Sequence, residues 1–206
     1  MKTVPFRIIP AFILGILLIA SAGCATSAPS RFYTLNSLAV PATLPPATSA
    51  EKKHVIAVVP VAVPEYLDRP QIVTRSGKNE LKLSEFNRWA GSFNADVTRV
   101  LVENLSVLLA REPLTVLRWV PAEQALLPVK YRIGVQLTGF DGSPGGTVLL
   151  RAQWTLFGEN GRKAIFLGES NITEQTGGQE YEDLVDAMSR ALESLSRDIA
   201  AAIISR

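Results

Sequence analysis

Few side chains in the sequence belong to the types that carry out catalysis. His54 is the only histidine among the 206 residues, so a Ser-His-Asp triad or a multi-histidine metal site lacks its partners. Residues 142–145 (Gly-Ser-Pro-Gly) do not have the spacing of a nucleophile elbow. Residues 76–79 (Ser-Gly-Lys-Asn) lack the glycine-rich segment that precedes a phosphate-binding lysine. We therefore expect neither an enzyme nor a metal or other cofactor.

Four carboxylates are clustered near the start of the last apolar-periodic segment, at Glu180, Glu182, Asp183 and Asp186. Paired carboxylates perform acid–base catalysis in glycosidases. Acids in the first turn of a helix more often complement the positive end of the helix dipole. We interpret this cluster as a helix start.

Cys24 is the one side chain whose position indicates a covalent reaction. Lys2 and Arg7 flank the start of an apolar run over residues 8–20, and the small residues 21–23 follow it. This is the pattern of an export signal with a cleavage site, and the run is shorter than the roughly 20 residues of a membrane span. The site resembles the lipobox of bacterial lipoproteins, in which the cysteine receives acyl chains. The alternative is an ordinary secretory signal with an incidental cysteine.

The lipobox resemblance also implies a location. Ala25 follows the cysteine in place of the aspartate that retains bacterial lipoproteins at the inner membrane, so we expect an outer-membrane anchor on the periplasmic face. Ser21 departs from the usual leucine of the motif. The predicted division is a signal peptide (1–23), a lipidated cysteine and tether (24–30), and one periplasmic domain (31–206). A proline-rich loop covers residues 36–53 of that domain.

The net charge of +2 does not indicate nucleic-acid binding. Lys2 and Arg7 are the only charges in residues 1–23, and they leave with the signal peptide. The remaining chain carries 19 basic and 19 acidic residues, so the basic pI belongs to the export signal.

The hydrophobic periodicity of residues 31–206 predicts eight strands and two helices. Strands are expected at 31–35, 55–63, 71–74, 80–83, 114–120, 131–138, 148–156 and 163–173, with turns at 141–146 and 159–161. One helix is expected to begin at Ser84 and end near Ala110, because Phe86, Trp89 and Phe93 start an apolar stripe. The second runs from about residue 179 to 204. The predicted fold class is α+β: a two-layer sandwich with a mixed, mostly antiparallel sheet and two long helices on one face.

Residues 64–75 combine two prolines with an aromatic residue and several charged residues in a connection between strands. Pro70 restricts Arg69 to extended geometry, and Asp68 can accept hydrogen bonds from nearby backbone amides. The segment is either a rigid structural loop or a docking surface, since tyrosine and arginine are favoured interface anchors. The candidate partner-binding residues are Tyr66, Asp68, Arg69, Gln71 and Arg75.

This segment resembles the PqiC family, also called ABC-type transport auxiliary lipoproteins. The residues that carry the resemblance lie along nearly the whole chain after Cys24: 32–35 (Phe-Tyr-Thr-Leu), 58–60 (Val-Val-Pro), 64–75, 86–89 (Phe-Asn-Arg-Trp), 100–105 and 149–156. The Leu-Asp-Arg-Pro-Gln-Ile-Val sequence within residues 64–75 is the specific part.

The resemblance implies a non-enzymatic component of a lipid transport system between the two membranes of a Gram-negative envelope. Its partners would be a PqiB-like MCE protein, whose domains span the periplasm as a tube, and a PqiA-like inner-membrane protein. Family members can form rings, so a homo-oligomeric ring is expected to suit the tubular partner. Two alternatives stay open: a lipid-binding carrier with an acyl chain between helices and sheet, and a lipoprotein that activates a cell-wall enzyme.

Overall fold

The computed structural model describes residues 28–40, 54–120, 129–158 and 162–206. These residues form eight strands and two helices. The elements are β1 (Arg31–Tyr33), β2 (His54–Val58), β3 (Gln71–Arg75), β4 (Leu81–Trp89), α1 (Phe93–Leu108), β5 (Leu114–Arg118), β6 (Val129–Gly142), β7 (Thr147–Gly158), β8 (Lys163–Gln175) and α2 (Tyr181–Ile204). The predicted signal peptide, Cys24 and most of the proline-rich loop lie outside the described residues.

The strands form two sheets, and this corrects the expected single, mostly antiparallel sheet. The smaller sheet has the order β1-β4-β3 and the larger one has the order β5-β2-β6-β7-β8. In the larger sheet β2 runs parallel to both β5 and β6, whereas β6, β7 and β8 are antiparallel neighbours. The β2–β5 pair is parallel because the chain between these strands, which includes α1, makes a crossover connection.

The two helices pack against each other and against the larger sheet. α1 contacts β5, while α2 contacts β7 and β8. The alternating residues Leu150, Ala152, Trp154 and Leu156 of β7 are buried, and the apolar stripe of α2 is buried with them in one core. The α+β class is confirmed, with mixed sheets and two helices.

Helix α1 begins later than the sequence predicts. Ser84 lies within β4, which continues to Trp89, and the helix starts at Phe93 with Ser92 as its N-cap. The Ser92 hydroxyl accepts a hydrogen bond from the Ala95 amide at 3.4 Å. Phe86 and Trp89 have helical spacing by coincidence, because β4 bulges where its register with β3 shifts. The helix is therefore 16 residues long rather than more than twenty.

Helix α2 agrees with the periodicity of the sequence. It spans Tyr181–Ile204 and buries one face, and the Asp183 carboxylate accepts the Glu180 backbone amide at 2.9 Å. This hydrogen bond satisfies one of the free donors at the helix start. Among the described residues, no helix is long and apolar enough to cross a membrane.

The chain after β1, residues 34–38, is bound across the two helices, and we call it the N-terminal strap. The side chain of Leu35, within the strap, is buried. Its backbone amides donate to helix side chains: Leu35 N to Asp96 Oδ2 (2.8 Å), Asn36 N to Ser189 Oγ (3.0 Å) and Leu38 N to Asn104 Oδ1 (2.7 Å). Arg99 also donates to the Leu35 carbonyl at 2.7 Å. The start of the predicted surface loop is thus part of the fold, with side chains supplying the partners that a sheet would provide.

The β6–β7 hairpin places Asp141 in a strand rather than in the turn that the sequence predicts. Asp141 pairs with Leu149, and the turn is confined to residues 143–146. Gly145 has φ +71, a conformation that favours glycine. Aspartate is depleted in strands, and its contacts, described below, account for its position here.

We expect Asn104→Ala to lower the free energy of unfolding by about 1–3 kcal/mol, because it leaves the Leu38 amide without its acceptor. Asn104 is fully buried and also donates to Ser196 Oγ at 3.2 Å. Urea unfolding followed by circular dichroism measures the loss. Ser106→Ala, on an exposed position of the same helix, is the control and should change stability by less than about 0.5 kcal/mol. Equal effects of the two substitutions would contradict the importance of the strap.

Candidate docking segment

Residues 64–70 form a tight turn that leads into β3. The amides of Leu67, Asp68 and Arg69 donate to the carbonyls of Pro64, Glu65 and Leu67 at 2.9, 3.2 and 2.8 Å. Leu67 is buried on one side of the turn, and Ile72 is buried just after it. The Pro70 carbonyl accepts the Trp89 amide at 2.8 Å, which joins the end of the turn to β4. The backbone of the segment is therefore held at both ends.

Two of the five predicted partner-binding residues contact Asp141, which is only 4% exposed. The Tyr66 hydroxyl donates to Asp141 Oδ2 at 2.7 Å. Arg75 donates through Nε to Oδ1 at 2.6 Å and through Nη2 to Oδ2 at 3.0 Å, a bidentate ion pair. Arg75 Nη1 also donates to the Lys78 carbonyl at 3.2 Å. The Asp141 carboxylate thus connects β3 of the smaller sheet to β6 of the larger one.

These contacts shift the pKa of Asp141 and of Tyr66. Burial by itself raises the pKa of Asp141, but the hydrogen bonds and charge of Arg75, together with the Tyr66 hydrogen bond, bring it below its ordinary value. Burial, followed by the hydrogen bond to Asp141, raises the pKa of Tyr66 to about 12. Asp141 is consequently ionised and Tyr66 is neutral at neutral pH.

The other three predicted residues form no hydrogen bond with Asp141. Asp68 is exposed at the tip of the turn, and Gln71 is partly exposed opposite Arg88 of β4. Arg69 is partly buried, and its buried Nε finds no hydrogen-bond partner within the described part of the chain. The structure therefore separates the five residues into an internal pair, Tyr66 and Arg75, and an outer group that is available for contact.

The sequence alone did not identify Asp141 as a functional residue. It was assigned to a turn, and no local pattern links it to Tyr66 or Arg75, which lie 75 and 66 positions away. One signal pointed to a missing partner: residues 64–75 contain a tyrosine and an arginine, whose polar groups need a hydrogen-bond acceptor when they are buried.

The residues considered for catalysis are not brought together. His54 is exposed at the start of β2, and no metal-binding group of His, Cys, Asp or Glu occurs among the residues that the structure describes. The space between the helices and the larger sheet is filled by side chains, among them the fully buried Leu150, Leu156 and Leu184. An open groove of about 590 Å³ lies on the other face of that sheet, beside Gln136, Gln153 and Leu167.

The Tyr66–Asp141 hydrogen bond predicts a loss of stability at high pH. The folded chain holds the phenolic proton more tightly than the unfolded chain, whose tyrosine pKa is near 10. The contribution of Tyr66 is thus complete below about pH 10 and disappears as the pH rises through about 12. We expect Tyr66→Phe to lower the free energy of unfolding by about 1.5–3 kcal/mol at neutral pH. Its stability should then fall less than that of the unsubstituted chain between pH 10 and pH 12.

Urea unfolding at a series of pH values measures both quantities. Tyr131→Phe is the matched control, because Tyr131 lies on β6 without a contact to Asp141. Parallel pH curves for the Tyr66→Phe variant and the unsubstituted chain would show that Asp141 does not retain the phenolic proton.

Two comparisons of sequence relate the chain to known proteins. Residues 33–200 match the family model described as "ABC-type transport auxiliary lipoprotein component". Over 109 residues the chain is 28% identical to the curated "Intermembrane transport lipoprotein PqiC" of Escherichia coli (strain K12), and to the protein of the same name in Shigella flexneri. The match covers 53% of this chain, and the chain spans about half the length of these curated relatives.

Solved structures with the same fold have low sequence identity to this chain. One, described only as an uncharacterized protein, has a TM-score of 0.68 at 20% identity and covers 85% of this chain and 99% of its own. Protein XCC0632 from Xanthomonas campestris has a TM-score of 0.63 at 12% identity, covering 83% and 93%. These similarities establish the fold alone.

Proposed function

The chain belongs to the family of ABC-type transport auxiliary lipoproteins, and on that premise we propose that it is an outer-membrane lipoprotein that serves as an adaptor in an MCE-type lipid transport system. The family is one of auxiliary transport components and is not a known enzyme family. The match over residues 33–200 is the observation that carries the proposal, since it includes all but the edges of the described domain.

The proposed anchor is Cys24, with acyl chains that hold the domain at the periplasmic face of the outer membrane. The support comes from the sequence: a positive start, an apolar run, small residues before the cysteine and Ala25 after it. Three acyl chains bind a bilayer far more firmly than the marginal hold of one. The domain itself contributes no spanning helix within the described residues, which is compatible with such an anchor.

The proposed docking residues for the MCE partner, which we take to be PqiB-like, lie at the tip of the turn and at the start of β3. Asp68, Arg69 and Gln71 are held in place by a backbone that is fixed on both sides, while Tyr66 and Arg75 hold that backbone through Asp141. A preorganised turn loses little conformational entropy on binding, and this favours affinity. A homo-oligomeric ring of this chain would present several such turns to the end of a tubular partner.

We expect Cys24→Ser to abolish incorporation of labelled palmitate when the full chain is expressed in a Gram-negative host. The substitution removes the thiol that accepts the acyl chains and leaves the rest of the signal unchanged. Ser21→Leu, which restores the usual lipobox residue, is the companion variant and should keep or increase the label. Labelling that persists in the Cys24→Ser chain would rule out the anchor.

Asp68→Ala combined with Arg69→Ala should reduce capture of the MCE protein about tenfold from crosslinked envelope extracts, as expected when an interface loses a contact worth about 1.4 kcal/mol. Tyr66 and Arg75 are left in place, because removing either would disturb Asp141. The MCE protein is quantified by mass spectrometry after purification of the tagged lipoprotein.

A matched control removes one acid and one base elsewhere. Glu193→Ala with Arg197→Ala deletes an exposed ion pair on α2 and should leave capture unchanged. Thermal unfolding of both double variants checks that the domain is intact. If the Asp68/Arg69 variant captures as much partner as the control, residues 64–71 form a structural turn and the docking face lies elsewhere.

A further inference from the structure

One face of the smaller sheet carries an exposed aromatic and basic surface. Phe32 of β1 lies opposite Arg88 of β4, so these two side chains form one row across the two strands. Phe86 precedes Arg88 by two positions on β4, and its side chain is exposed as well. Phe32 is 65% exposed and Phe86 is 39% exposed. We call Phe32, Phe86 and Arg88 the anchor-side patch.

The neighbours of the patch residues show that the opposite face of the sheet is the packed one. Tyr33 and Trp89, which follow Phe32 and Arg88 in the chain, pack into the core, and the Tyr33 hydroxyl donates to Asn87 Oδ1 at 3.0 Å. The exposed rings of Phe32 and Phe86, on the same two strands, make no ring contact with any residue that the structure describes. An exposed apolar surface of this kind marks a contact with something outside the chain.

The length of the tether determines what lies next to this patch. The N-terminal strap and β1 bind the chain from Arg31 to Leu38, so the free tether is limited to the residues between Cys24 and Arg31. Seven extended residues span at most about 25 Å. The patch begins one residue beyond the end of this tether, with Phe32, and Phe86 lies on the side of the row from which the tether arrives.

We propose that the anchor-side patch rests on the surface of the bilayer that holds the acyl chains, with Phe32 and Phe86 inserted among the lipids at the interface. This inference depends on the anchor at Cys24 that we proposed above. Its occupant is a lipid surface, because Phe32 directly follows a tether of at most about 25 Å and so lies close to the membrane that holds Cys24. The fold, together with the acyl chains, then determines which side of the domain faces the membrane.

The charges of the patch suit lipid headgroups. Arg88 forms no ion pair within the described part of the chain, so its guanidinium can donate to a lipid phosphate. Arg31 next to Phe32 has one weak partner, Glu180 at 3.9 Å, and both side chains are exposed. Phenylalanine buried at the interface with a basic residue beside it is the arrangement found in helices and segments that lie on membranes.

The test uses the single cysteine of the chain to supply the anchor chemically. The chain from Cys24 to Arg206 is coupled through Cys24 to a maleimide lipid in vesicles of phosphatidylethanolamine and phosphatidylglycerol that contain brominated acyl chains. Phe32→Trp adds a tryptophan within the patch, and Leu167→Trp adds one at an exposed site on β8, in the larger sheet. Tryptophan fluorescence is compared with that of the coupled chain carrying its own three tryptophans.

We expect the added fluorescence of Phe32→Trp to be quenched by the brominated lipid, and that of Leu167→Trp to be unaffected. Equal fluorescence for Phe32→Trp in brominated and ordinary vesicles would overturn the proposal. A shift of the Phe32→Trp spectrum to shorter wavelength with rising protein concentration, without vesicles, would also overturn it, since a second copy would then cover the patch. Because the anchor is supplied by coupling, the outcome is independent of whether Cys24 is acylated in cells, which the palmitate experiment decides.

Discussion

The ionised Asp141 carboxylate is the contact on which the arrangement of the two sheets depends. Burying a carboxylate costs several kcal/mol, and here three donor groups from Tyr66 and Arg75 compensate for the lost water. Because these donors come from the first and last parts of one segment, satisfying Asp141 also fixes the turn between them. The smaller sheet is thereby attached to β6, and the exposed tip of the turn receives a defined position relative to the core. The buried charge of Asp141 thus both stabilises the domain and fixes the position of the exposed turn.

Much of the fold follows from periodicity that can be read in the sequence. The alternation in β6 and β7 and the apolar stripe of α2 lead to the observed elements because each buries one face against a common core. The prediction was wrong at β4, where Phe86 and Trp89 have helical spacing in a bulged strand. It was wrong again in placing all the strands in a single sheet, since the structure has two. Sheet membership depends on pairings distant in the chain, and local patterns do not encode them.

The sequence predicted which residues of 64–75 belong to the candidate site, but not which of them stabilise the turn and which are available to a partner. The sequence singled out residues 64–75 and left structural and docking interpretations open, and the contacts of Tyr66 and Arg75 support a structural role for those two. Asp68, Arg69 and Gln71 remain available to a partner. The acceptor that separates the two groups, Asp141, could not be found from local sequence, because its position in a strand is stabilised only by residues more than sixty positions away.

The N-terminal strap has a consequence for the order in which the chain assembles. The Asn36 amide binds Ser189, 153 positions later, and Leu38 binds an Asn104 side chain that in turn contacts Ser196. The strap also binds Asp96 and Arg99 of α1, but its full set of contacts forms only when the last helix has been synthesised and packed. A chain truncated before α2 would keep the strap contacts to α1 but lack the Ser189 contact and the Ser196 support of Asn104, so complete attachment of the strap reports that synthesis has passed the last helix.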